Sequence, residues 1–121
     1  MKLSTLLTAG LLLLTTSPAL SHDAKPRHGG RIIIVGNYHV ELVAKDDAVE
    51  VYLLDHNNKQ MSVAGHKGVA ILSADGKSQR ILLEVSGEML TGKASGTLPA
   101  QPKGVVQISQ PDGKTVQAKF N

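Results

Sequence analysis

Residues 31–43 have the sequence RIIIVGNYHVELV, which contains two short β-type runs on either side of a turn signal. An Ile/Val run at 31–35 is followed by Gly36-Asn37, where glycine supplies the positive φ that a two-residue hairpin turn requires. In the run that follows, the polar residues His39 and Glu41 alternate with apolar ones, which is the period of a half-buried strand. The stretch therefore predicts a β-hairpin, with the histidine and the glutamate on the same face of its second strand.

Short β-type runs separated by turn signals continue to the end of the chain. Two strong turn signals, Ala74-Asp75-Gly76-Lys77 and Pro111-Asp112-Gly113-Lys114, each lie between such runs, and no segment has sustained helical periodicity. The seven or eight strands predict an all-β protein, either a small antiparallel β-sandwich of the immunoglobulin-like kind or a small barrel. The pattern does not decide between the two. Further strands are predicted at 48–54, 69–73, 78–85, 89–93, 105–110 and 115–120, and residues 61–64 have only a weak strand pattern.

The N-terminus has the features of a secretory leader. Lys2 is followed by an apolar run at 6–14, and Ala19-Leu20-Ser21 offers small residues at a cleavage site. The apolar run is shorter than the roughly 20 residues that span a bilayer. We therefore expect a signal peptide at 1–21, a flexible polar segment at 22–30 and a single β-sandwich domain at 31–121, exported to the periplasm. The mature chain is predicted to have no transmembrane segment.

The composition excludes several classes of function. The chain has no cysteine, which rules out disulfides and thiolate metal sites, and only three aromatic residues, so the core must be built from Ile, Leu and Val. The net charge of +3 is scattered, without the basic stripes and stacking aromatics of a nucleic-acid-binding protein. A nucleophile elbow and a phosphate-binding Gly-rich loop are also absent from the sequence. We therefore predict a protein that is not an enzyme and that does not bind nucleic acid.

Five histidines are many for so small a domain, and imidazole is a common ligand of transition metals. Cleavage after Ser21 would leave His22 as the first residue, whose amine and imidazole could together chelate Cu(II). Cleavage after Ala19 would instead place His22 third, which is another copper- or nickel-binding arrangement. No pair of histidines has a spacing that forces a metal site. A solvated terminus and exposed histidines without a shared role therefore remain open.

Two further groups of residues point to nitrogen-rich metal chemistry. The imidazole and backbone amides of His28-Gly29-Gly30 could bind copper, although two glycines are also what a sharp turn into a strand requires. The carboxylate of Glu41 could co-ligate a metal or orient a neighbouring ring. The Irving–Williams order favours Cu(II) over zinc at such sites. The predicted metal residues for a copper or zinc ion are His22, His28, His39, Glu41 and His66.

An ordered series of motifs resembles a known module of the bacterial envelope. The series runs through His28-Gly29-Gly30-Arg31, then residues 38–43 (YHVELV), then residues 51–56 (VYLLDH). It resembles the N-terminal β module of periplasmic adaptor subunits of heavy-metal RND-type efflux pumps, most clearly from His28 to about His66. The resemblance implies a periplasmic location and a part in heavy-metal resistance. It brings no ligand set, and the chain lacks the helical hairpin and lipoyl-like segments of a complete adaptor.

Two functional hypotheses follow. In the first, the domain binds a transition metal, or serves as an accessory of the periplasmic metal-efflux machinery. In the second, it is a structural docking module without a metal, because the apolar strand at 31–35 could add to the sheet of a partner.

Overall fold

Eight antiparallel strands account for most of residues 25–121, the part of the chain that the computed structural model describes. Their order in the sheet is β1-β2-β3-β6-β5-β4-β7-β8, and β8 returns to contact β1. The sheet is thus a nearly closed barrel. The predicted small all-β domain of about eight antiparallel strands is confirmed. The strands are β1 (Arg31–Val35), β2 (Tyr38–Lys45), β3 (Ala48–Asp55), β4 (Lys67–Ala74), β5 (Lys77–Ser86), β6 (Met89–Lys93), β7 (Lys103–Ser109) and β8 (Thr115–Phe120).

Two-residue turns fix the register of the first three strands. Gly36 adopts a φ of 56° in the β1–β2 turn, as the hairpin prediction requires, and Asp46 adopts a φ of 54° in the β2–β3 turn. The second turn aligns Glu41 of β2 with Tyr52 of β3. This pairing brings the glutamate and the tyrosine side by side on one face of the barrel wall.

The prediction of a strand at 61–64 is wrong. The backbone N–H of Met61 donates to the carbonyl oxygen of Leu53, and the nearby pairing of Leu54 with Gln60 is an isolated bridge. A turn follows at once, in which the N–H of His66 donates to the carbonyl oxygen of Val63. The run is therefore too short to form a ladder before β4 begins.

The inward-facing residues of alternate positions fill the barrel. As predicted, most of them are aliphatic, and Phe120 of β8 is 1% exposed. On β3 the buried residues Val49, Val51 and Leu53 share the inner face, as the alternation of side chains along a strand requires. Other members of the core are Val40, Leu42, Ala70, Leu72, Ile81, Leu83, Leu90, Val106, Ile108 and Ala118.

Side chains, and not a backbone ladder, join β1 to β8 among residues 25–121. The guanidinium of Arg31 donates to the carbonyl oxygen of Asn121 at 2.7 Å. The same group lies 5.9 Å from the centroid of the Phe120 ring, within the range of a cation–π interaction. We call this junction the β1–β8 seam.

The outer face of β2 is covered, which the alternation pattern did not indicate. His39 is 4% exposed and Glu41 is 0% exposed, although both lie on the face opposite the core. Residues 25–30, which we call the strap, pass over this face. At Gly30 the strap lies so close to β2 that a Cβ atom would overlap the carbonyl oxygen of Leu42. Glu41 thus lies between the barrel wall and the strap.

Candidate functional site

Glu41 is the centre of the candidate site, because its carboxylate receives four hydrogen bonds from the strap. Oε1 accepts from the backbone N–H of Arg27 at 3.0 Å and from Nδ1 of His28 at 3.0 Å. Oε2 accepts from the backbone N–H of His28 at 2.8 Å and from that of Gly30 at 2.9 Å. A carboxylate has about four lone-pair positions, so Glu41 is fully satisfied within the fold.

These bonds determine the charge of Glu41. Burial favours the neutral carboxylic acid, but the bonds from the His28 ring and from the backbone of Gly30, His28 and Arg27 outweigh it and lower the pKa of Glu41. Glu41 is therefore a carboxylate at neutral pH. Since a carboxylate only accepts, the Nδ1 atom of His28 must carry a proton and donate it, which assigns the ring tautomer from its partner.

The His28 ring is stacked on the ring of Tyr52. The two ring centroids are 3.5 Å apart and the ring planes differ by 6°, so the rings are stacked face to face. The Tyr52 hydroxyl donates to Oε2 of Glu50 at 2.6 Å. Burial, this hydrogen bond and the charges of Glu50 and Glu41 raise the pKa of Tyr52 to about 12. The platform under the imidazole is therefore a neutral phenol.

Asn58 ties the strap to the loop after β3. Its side-chain amide donates to the carbonyl oxygen of Lys25 at 3.0 Å, and its backbone carbonyl oxygen accepts from the Arg27 guanidinium at 3.3 Å. These contacts and the Glu41 bonds fix the strap at both ends. As a result, His28 has a defined position on the barrel wall.

Of the two ring nitrogens of His28, Nδ1 is hydrogen-bonded to Glu41 and Nε2 is the candidate ligand atom. Nδ1–H is bound to Glu41, which leaves the lone pair of a neutral ring on Nε2, and the side chain is 26% exposed. Histidines that ligate metals usually donate their other ring N–H to a carboxylate or carbonyl group, which fixes the tautomer and raises the basicity of the ligating nitrogen. The pair His28–Glu41 has this arrangement.

The sequence predicted that the backbone amides of His28-Gly29-Gly30 could bind copper, but the partner of two of them in the structure is Glu41. The N–H groups of His28 and Gly30 both bind Glu41, so they hold the strap in place. Gly29 has a φ of 77°, and Gly30 has no room for a side chain. These contacts match the alternative interpretation of the two glycines, a sharp turn into a strand.

The remaining predicted residues are dispersed. His39 lies two positions before Glu41 on the same face of β2, and its Nδ1 atom is buried without a partner among the described residues. Nδ1 of His66 donates to the carbonyl oxygen of Ala64 (3.1 Å), and the residue lines a groove of about 520 Å³ beside β4 and β5. His22 lies outside the described residues. Within residues 25–121, no group of three or more His, Asp or Glu side chains is arranged to hold a metal ion.

The sequence could have indicated Tyr52, which was not among the predicted site residues. A two-residue turn at Asp46-Asp47 pairs residue 41 with residue 52 in an antiparallel hairpin. The position of Arg27 had no comparable signal, because it depends on how the strap folds back over β2.

Comparison with protein-family models, with curated proteins and with solved structures finds no match for this chain. The resemblance to the efflux adaptor module therefore stays a prediction. Among residues 25–121, no helix is long and apolar enough to cross a membrane.

Proposed function

We propose that this chain is an exported, non-enzymatic domain that captures a transition metal of the copper or zinc type, with Nε2 of His28 as a ligand. The observation that carries the proposal is the 3.0 Å contact between Nδ1 of His28 and Oε1 of the buried Glu41. That contact gives the imidazole a fixed tautomer and a fixed orientation before any metal arrives. A ligand that is already oriented loses little conformational freedom on binding.

In this proposal Glu41 acts through His28 and does not touch the metal. Its lone-pair positions are occupied by four hydrogen bonds within the fold, so binding a metal directly would break some of them. The predicted role of Glu41 as support for a histidine is the one that the geometry favours. His66 is left out of the site, because it lies in the turn before β4, beside β4 and β5 and not beside β2.

The other ligands must come from outside the described residues or from solvent, because residues 25–121 hold no ready cluster of three donors. The natural source is the segment before the strap, where His22 and the amine created by cleavage after Ser21 would supply two nitrogens. Nitrogen donors of this kind bind Cu(II) more tightly than Zn(II) by the Irving–Williams order. The expected role is transient capture, in which a partly exposed ion is held and then passed on to the heavy-metal efflux machinery.

The test is a metal titration of protein expressed with its leader and recovered from the periplasm. Native mass spectrometry gives the cleavage position and the number of metal ions bound, and equilibrium dialysis against Cu(II) and Zn(II) gives the affinity. We expect one Cu(II) per chain, lost in His28→Ala, and weakened by about 10- to 100-fold in Glu41→Gln, the range typical of residues that orient a ligand. His66→Ala and Glu84→Gln are matched controls at positions away from the strap.

Two results would count against the metal proposal. One is a correctly cleaved chain that binds less than one Cu(II) at micromolar metal. The other is an unchanged affinity in His28→Ala when circular dichroism shows an intact fold. Either result would move the function to the second candidate.

The second candidate is a docking module, and the β1–β8 seam is the observation that favours it. No backbone ladder joins the two strands within residues 25–121, and Ile34 on β1 is 52% exposed, so β1 could accept a strand from a partner. An envelope metal-efflux subunit is the partner that the motif resemblance suggests. Surface plasmon resonance against a purified adaptor subunit tests this, with Ile34→Glu expected to abolish binding and Ile71→Glu on β4 as the control. Equal binding by the two variants would exclude the seam.

A further inference from the structure

The outer wall formed by β4, β5, β7 and β8 has an exposed apolar centre. The strand register places Val69 of β4 opposite Leu82 of β5, and Ile71 of β4 opposite Val105 of β7. These four side chains point away from the barrel interior, because the residues next to them on each strand belong to the core. Leu82 is 62% exposed and Ile71 is 37% exposed. Aliphatic side chains clustered in this way on a surface are typical of an interaction site.

A groove extends the apolar centre toward the start of β4. Its volume is about 520 Å³, and its apolar lining includes Val69, Leu82 and Val85. Val85 is 45% exposed. Three of the four large apolar side chains that are exposed within residues 25–121 thus lie on this wall or in its groove.

Basic side chains surround the apolar centre. The row of paired residues that contains Ile71 ends in Arg80 on β5 and in Lys119 on β8, so a cation lies at each end of the row. Among the outward-facing positions of the four strands, cations outnumber acids by four to one, and all five of these charged residues are exposed. They are Lys67, Arg80, Lys103, Lys119 and Glu84.

A cationic cleft adjoins the apolar centre on the side of β8. Its volume is about 350 Å³, and its polar side chains include those of Lys103, Lys119 and Ser73. Val105 belongs both to this cleft and to the apolar centre, and no residue that lines the cleft has an acidic side chain. The wall therefore presents an apolar groove and a cationic cleft side by side, which is the combination that an anionic amphiphile requires.

We propose that this wall docks the domain on a membrane that contains anionic phospholipid. In this arrangement Leu82 and Ile71 enter the boundary between headgroups and acyl chains, as the apolar residues of other interfacial segments do. The lysines and the arginine have long stems, so their charged ends reach the lipid phosphates around the apolar centre. The surface lies on other strands than Glu41 and Tyr52, and membrane docking is independent of metal binding at His28.

The composition of the wall favours a lipid surface over a protein partner. Protein interfaces are usually centred on Trp, Tyr, Met or Arg anchors that fill pockets, whereas the centre of this wall is entirely aliphatic. A second copy of the chain would place its own cations against those of the first, which is unfavourable. An anionic bilayer needs no matching pocket and complements the charge of the wall.

The experiment is cosedimentation of the mature protein with vesicles made of phosphatidylglycerol and phosphatidylcholine in equal parts, in the presence of a metal chelator. Vesicles of phosphatidylcholine alone are the reference. We expect binding to the anionic vesicles only, and the binding should weaken as salt is added. Lys119→Gln should lower the partition coefficient by about fivefold, which corresponds to about 1 kcal/mol for one cation near an anionic membrane. Leu82→Ser should lower it by about tenfold, because apolar area no longer enters the bilayer.

Lys59→Gln and Ile34→Ser are the matched controls, since they make the same changes at exposed positions away from this wall. Both should bind the anionic vesicles like the unmodified protein. Equal binding to the two kinds of vesicle, binding to neither, or binding by Lys119→Gln and Leu82→Ser that equals the controls would overturn the proposal. None of these results bears on copper capture at His28, because the chelator removes metal from the vesicle experiment.

Discussion

Replacing Glu41 by glutamine tests the physical basis of the candidate site, because it keeps the shape of the side chain and removes its charge. One of the two oxygens becomes an amide NH₂ group, which cannot accept a hydrogen bond. If Oε2 is replaced, the N–H groups of His28 and Gly30 face a donor; if Oε1 is replaced, the N–H of Arg27 does so. In the second case the His28 ring can change tautomer and accept, so this orientation is the less costly one.

The magnitude follows from counting what the better orientation loses. One hydrogen bond to a charged acceptor disappears, worth about 1.5–3 kcal/mol, and the two bonds to Oε2 become neutral ones and lose about 1 kcal/mol between them. The destabilisation has an upper limit, because the strap can detach from the barrel and its polar groups are then solvated by water. We therefore expect Glu41→Gln to lower the free energy of unfolding by about 2–4 kcal/mol at pH 7. For a domain of this size that corresponds to a fall in Tm of roughly 8–30 °C.

The loss must also depend on pH in a defined direction. The pKa of Glu41 is lowered by folding, so its contribution is fully present above the ordinary value of 4.5 and is lost as the pH falls through the lowered pKa. The difference between Glu41→Gln and the unmodified protein should thus be largest at neutral pH and shrink in acid. Denaturant unfolding followed by far-UV circular dichroism at several pH values measures it. Tryptic cleavage after Arg27 reports release of the strap separately.

Glu84→Gln is the matched control, since it makes the same chemical change at an exposed position of β5. It should leave stability nearly unchanged at every pH. Equal stability of Glu41→Gln and Glu84→Gln at pH 7 would show that the Glu41 charge does not stabilise the fold. A loss in Glu41→Gln that is the same at all pH values would show the same.

Two further predictions concern the surroundings of the site. Tyr38→Phe leaves Tyr52 as the remaining tyrosine of the sequence. Its absorbance at 295 nm should change near pH 12, and Glu50→Gln should move this transition to lower pH. A transition near pH 10 in Tyr38→Phe would contradict the conclusion that burial raises the pKa of Tyr52. Because folding raises this pKa, the associated stability is present below pH 10 and should be lost as the pH rises through about 12. Gly30→Ala should detach the strap and lower the free energy of unfolding by about 1–3 kcal/mol, since its Cβ would overlap backbone atoms of β2. The control Gly96→Ala should be neutral, because a Cβ there meets nothing within 4 Å. Equal stabilities of the two variants in denaturant unfolding would contradict this prediction.

The sequence predicts the barrel wall well, because its information is local. The turn chemistry at Gly36 and the alternation on β2 and β3 indicate the strands, their register and their core faces. The same information does not reveal what covers the outer face. The polar face of β2 looks solvated until the strap is placed over Glu41, and the placement depends on contacts between residues 11 to 14 positions apart. A buried glutamate is costly unless it is paired. Three of the four partners of Glu41 are backbone N–H groups, which carry no signal in the sequence.

The candidate site therefore depends on a single choice of side chain on β2. An apolar residue at position 41 would complete the hydrophobic pattern and would need no strap, since a half-buried strand face of Val and Leu is common. A carboxylate instead requires donors, and residues 27–30 supply them at the cost of two glycines, one with positive φ and one without room for a Cβ. This arrangement orients His28, because its Nδ1–H is bound to Glu41 and its ring is stacked on Tyr52. Stability alone gives no reason to build such an arrangement around an imidazole, because pairing Glu41 with the backbone N–H groups already fixes the strap. The presence of the ring at the centre of the arrangement is why we place the function there.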